Sequence, residues 1–67
     1  MDIKIKVGET AGKIWQELST DGPQTLTQLK KKVNGSGELV NFALGWLARE
    51  DKVEIIPEKK TFRVQLR

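Results

Sequence analysis

Polar and apolar positions change period several times along the 67-residue chain, and each change predicts a boundary. Residues 2–7, DIKIKV, alternate strictly, with Ile3, Ile5 and Val7 on one side and Lys4 and Lys6 on the other, which predicts a half-buried strand ended by Gly8. The lysines of that strand would discourage uncontrolled edge pairing. From there the spacing becomes helical: Ala11, Ile14, Trp15 and Leu18 fall at i, i+3, i+4 and i+7, and Gly22 with Pro23 supplies the stop. Thr25 followed three positions on by Gln28 forms a capping box, so a second, short helix is expected, with Leu26, Leu29 and Val33 inward and Lys31 pointing away. NGSG, residues 34–37, is too rich in turn formers to continue it. Ser36 can then cap a third helix, in which Val40, Ala43, Leu44 and Leu47 form the inward stripe and Leu39, Phe42 and Trp46 widen it. Glu38, Asn41, Gly45, Ala48 and Arg49 fall opposite. Two alternating segments around PEKK, carrying Val53 and Ile55 and then Phe62, Val64 and Leu66, predict a hairpin with a charged tip. The common core is expected to comprise Ile14, Trp15, Leu18, Leu29, Leu44, Leu47 and Phe62.

Length and composition narrow what such a chain does. Sixty-seven residues suit one domain spanning 1–67, and a chain of this size buries only about 60% of its unfolded surface, so its core must be shared by every element. Cysteine is absent, which removes disulfides and thiolate metal sites and favours a reducing, cytoplasmic setting. No uncharged run approaches a membrane span. Histidine, cysteine and tyrosine are all missing, so the commonest general base, thiol nucleophile and phenolic donor are unavailable; a non-enzyme without cofactor, metal or small-molecule substrate is expected. The net charge of +3 is mildly basic, but it is unevenly spread: residues 23–37 hold three lysines and no acid.

The phrases VGETAGKIWQEL, GPQTLTQLKKKV and LVNFALGWLAREDKVEI resemble a family of small prokaryotic winged helix-turn-helix proteins of uncharacterised function, and the match covers nearly the whole chain. The resemblance implies an α+β fold with a three-helix core and a small antiparallel sheet, here the N-terminal strand plus the C-terminal hairpin as the wing. It also implies DNA binding, with no assigned reaction or cofactor, and an apolar residue in the turn before helix 3, where this chain instead has Gly35, which is expected to loosen that turn.

Two function classes follow. In the first, the domain is a transcription-associated DNA-binding module: Lys30, Lys31 and Lys32 on helix 2 and Lys59 and Lys60 at the wing tip contact phosphates, while Asn41 and Arg49 on helix 3 approach base edges. Helix 3 offers few other groups with reach, so sequence readout should be weak. In the second, the domain binds a protein partner or a second copy of itself without DNA, through Phe42 and Trp46 or through strand edges. Solvated helix faces and hairpin tips account for the same lysines equally well.

Overall fold

The computed structural model describes residues 2–33 and 36–67. Helix α1 spans Ile3–Asp21, β1 is Gln24–Thr25, α2 Leu26–Lys32, α3 Gly37–Arg49, β2 Val53–Pro57 and β3 Phe62–Leu66. The turn expected to be loosened by Gly35 lies outside the described residues.

The N-terminal segment is helical, which corrects the expected strand. Asp2 caps α1, its carboxylate accepting from the Lys4 amide at 2.9 Å. Ile3, Val7, Ala11, Ile14 and Leu18 are spaced by four, four, three and four residues, so the alternation of DIKIKV is a short sample of a longer helical stripe. Gly8 lies inside the helix rather than ending a strand. At the far end Gly22 takes φ 78° and ψ −160°, a region open in practice to glycine alone, and its amide donates to the Leu18 carbonyl.

A different segment therefore supplies the third strand. Gln24 and Thr25 pair antiparallel with Val64 and Arg63, while β2 pairs with the other edge of β3, giving the order β1-β3-β2. Gln24 is buried: its side-chain amide donates to the Glu17 carbonyl at 3.2 Å, fastening the turn to the end of α1. Thr25 then serves as the N-cap of α2, and both halves of the expected capping box are made, with Thr25 Oγ1 accepting from the Gln28 amide at 3.1 Å and Gln28 Oε1 from the Thr25 amide at 2.9 Å. Ser36 caps α3 as expected.

Without glycine at its C-terminus, α3 still closes in a Schellman motif. The Lys52 amide donates to the Leu47 carbonyl at 2.9 Å and the Asp51 amide to the Ala48 carbonyl at 3.1 Å. That geometry holds Asp51 at φ 60°, the one left-handed non-glycine among the described residues.

The core lies where α1 and α3 cross and where the sheet covers them. Ile14, Leu29, Val40, Ala43 and Val64 are fully buried, with Leu18, Val33, Leu44, Leu47 and Val53 nearly so. Two expected core members are not in it. Trp15 is 47% exposed because it lies on the flank of α1, and the inward position beside Ile14 is taken by Thr10, whose hydroxyl donates to the Lys6 carbonyl. Phe62, opposite Pro57 in register, is 43% exposed and lines an open groove between α3 and the hairpin rather than entering the core. Ala48, expected on the outer face of α3, is half-buried and packs against the core.

Candidate nucleic-acid interface

Helix α2 has two turns, and its three lysines leave in different directions. Lys31 projects straight into solvent. The Lys30 stem crosses the start of α3, with its Cε 3.6 Å from where a side chain on Gly37 would begin. Lys32 leans the other way, toward α1, and pairs with Asp21 at 3.3 Å. The helix thus separates one lysine of the LKKKV run from the other two.

The wing turn is set against the same helix. Thr27, in the first turn of α2, shares a long 3.5 Å hydrogen bond with the Thr61 hydroxyl beside Lys59 and Lys60. Within that turn the Glu58 amide donates to the Thr61 carbonyl, and the Glu58 carboxylate holds Arg63 at 3.1 Å. Lys31 follows Thr27 by one helical turn, so it stands on the face that the wing turn approaches. Among the described residues, Lys30, Lys31, Lys59 and Lys60 make no ion pair.

Helix α3 contributes two polar groups at some distance from one another. Asn41 stands on the lip of an apolar groove of about 240 Å³ between α3 and the wing, whose walls include Gly45, Ile55 and Phe62. Arg49 is in the last turn of α3, eight residues on and therefore roughly 12 Å farther along the axis. Glu38 places a negative charge in the first turn. Phe42 and Trp46 are each 55% exposed, and Trp46 turns toward α1, where it lines a cleft with Ile3, Val7 and Gly8. The expected residues therefore do not form one site: Lys30, Lys31, Lys59 and Lys60 lie around α2 and the wing turn with Asn41 at the adjoining groove, Lys32 turns to α1, Arg49 stands apart at the end of α3, Trp46 faces α1, and Phe42 is exposed one turn before it.

Sequence reasoning did not find the Thr27–Thr61 contact or the second fastening of the wing through β1. Threonine carries no signal of its own at either position, and a two-residue strand is too short for alternation to register.

Three helices with a hairpin returning beside α3 form the architecture of a winged helix, and a model of the family described as winged helix-turn-helix domain (DUF2582) matches residues 1–66. The chain belongs to that family. It is 40% identical over 69 residues to the uncharacterized protein MJ1608 of Methanocaldococcus jannaschii, covering 98% of this chain and 97% of the relative. Its structure is similar to the solution NMR structure of protein BT2368 from Bacteroides thetaiotaomicron, with a TM-score of 0.80 and 38% identity, over 94% of this chain and 77% of that one. In the terms of the winged helix family, α3 is in the recognition position and β2–β3 is the wing. No described helix is long and apolar enough to cross a membrane, and no cluster of metal-ligating side chains occurs among the described residues.

Proposed function

We propose that this winged helix is a non-catalytic, transcription-associated DNA-binding module that holds the duplex mainly by its phosphates and reads sequence weakly. The observation that carries the reading is the set of four ammonium groups that make no ion pair among the described residues, two on α2 and two on the wing turn, on elements that the Thr27–Thr61 contact holds together. Helix-turn-helix docking uses these same elements, with the helix before the recognition helix crossing the backbone and the wing reaching an adjacent groove. Lys30 beside the first turn of α3 adds its charge to the positive end of that helix, which favours a phosphate there. Asn41 has the donor and acceptor to engage adenine, and Arg49 contributes charge farther along. Glu38 and the aromatic Phe42 are poor readers of a groove edge, hence the weak selectivity. Lys32, held by Asp21, is the least engaged of the lysines.

The test is a titration of isotopically labelled protein with mixed-sequence duplex DNA. With about four phosphate contacts the affinity should fall with salt at a log–log slope of about −4. Amide shifts should centre on α2, the Thr61 turn and the first half of α3, and Lys31→Ala should weaken every duplex alike. No shift at about 50 mM salt, where phosphate contacts are strong, overturns the reading.

A further inference from the structure

The geometry points to a second role for α1: its outer flank is the seam of a two-fold symmetric dimer, in which a second copy of this chain packs antiparallel against it. Ile5, Gly8, Gly12 and Trp15 are all exposed and lie on one flank of α1, spaced by three, four and three residues, the spacing of a helix–helix seam. The stripe is distinct from the buried one formed by Val7, Ala11, Ile14 and Leu18, so α1 carries two apolar faces and the monomer covers only one.

The spacing identifies the occupant. Positions 5, 8, 12 and 15 are symmetric about position 10, so a two-fold axis there sets Ile5 against the second copy's Trp15 and Gly8 against its Gly12. Small residues at the centre let two such helices cross closely there, and the large side chains at the ends fill the space where the helices diverge. In the monomer a Cβ at Gly8 or Gly12 would meet nothing within 4 Å. Neither glycine has a steric reason to be there in one copy alone, and each weakens the helix relative to alanine. Close approach of another helix supplies the reason.

The exposed area is of the right size. A fully exposed tryptophan presents about 250 Å², so Trp15 at 47% and Trp46 at 55% offer roughly 250 Å² between them. Ile5 at 61% adds roughly 100 Å², for an apolar total of roughly 350 Å². A standard interface buries about 800 Å² per partner, a little over half of it apolar, so this face supplies most of the apolar share of a dimer of ordinary size. Trp46 extends it from α1 onto α3, since it lines the same cleft as Gly8. The seam leaves the lysines of α2 and the wing uncovered, and the inference does not rest on DNA binding.

Sedimentation equilibrium without DNA tests it, on the intact chain and on Gly12→Gln. The intact chain should show a species of twice 7.6 kDa at about 100 µM. Gln at position 12 favours the helix, so that variant should be at least as stable as the parent when dilute, yet its dimer should dissociate at least about 100-fold more readily because the notch is filled. Phe62→Ser, on the wing, should dimerise as the parent does. A parent that stays monomeric to about 1 mM, a Gly12→Gln dimer as tight as the parent's, or a dimer lost on Phe62→Ser overturns the proposal.

Discussion

Asp51 adopts φ 60° because the Schellman hydrogen bonds at the end of α3 require a left-handed residue there. Left-handed backbone costs an L-residue about 1–2 kcal/mol, whereas glycine adopts it freely and loses about 0.5–1 kcal/mol of extra chain entropy on folding. A glycine at this position should therefore outperform an alanine by roughly 0.5–1 kcal/mol. Aspartate tolerates the conformation better than alanine, so the parent should fall between the two. The Asp51–Arg67 ion pair, 3.3 Å long with the Asp51 side chain 81% exposed, is lost in both variants and is screened by solvent, so it does not decide their order. For a domain of this size 1 kcal/mol corresponds to about 4–8 °C, and Asp51→Gly should melt roughly 3–6 °C above Asp51→Ala. Thermal unfolding followed by circular dichroism, on dilute protein and repeated at high salt, reads the difference directly. Had α3 simply continued through residue 51, alanine would be favoured by about 1 kcal/mol. An Asp51→Ala variant as stable as Asp51→Gly would thus refute the assignment of the motif.

The same comparison reverses sign elsewhere on the chain. Gly12→Ala, inside α1 and facing open space, should stabilise the dilute monomer by up to about 1 kcal/mol in urea unfolding. Gly22→Ala, at φ 78°, should destabilise it by about 1–3 kcal/mol in the same assay. Leu44→Ala, 4% exposed, should cost about 2–5 kcal/mol, and a loss below about 1 kcal/mol would show that its cavity collapses freely. Thr25→Ala should cost about 1 kcal/mol through the lost cap, and Thr25→Ser should recover most of it.

The helical part of the fold was legible wherever a periodic run was long enough or a cap was chemically explicit. Thr25 with Gln28 and Ser36 before Gly37 announced two helix starts because their side chains have one local task, to satisfy orphan amides. The N-terminus was misread because six residues satisfy both a period of two and a period of four, and only the continuation through Ala11, Ile14 and Leu18 distinguishes them. Trp15 was misplaced for a related reason: a hydrophobic residue at helical spacing marks a face, but two apolar faces on one helix cannot be told apart without knowing which one its neighbours cover. At the candidate interface, charge located the lysines but not their directions. Lys32 turns to Asp21 on α1 and Lys30 to Gly37 on α3, choices made by how the three helices pack and not by the charge run itself.

The pairing of Gln24 with Val64 joins residues 40 positions apart. Closing a loop of that length costs roughly 3 kcal/mol in chain entropy, more than a two-residue strand returns by itself. That closure becomes favourable only after the helices have assembled and the local β2–β3 hairpin has formed, so zipping β1 onto β3 is expected to come late in folding. Thr25 belongs to both the strand and the helix cap, so the reverse event should release the wing and the start of α2 as one cooperative opening unit. In native-state hydrogen exchange the amides of Gln24, Thr25, Gln28 and Arg63 should share one opening free energy below that of Ile14 and Leu47 in the core. The lysines above that unit would then be held in place, and let go, together.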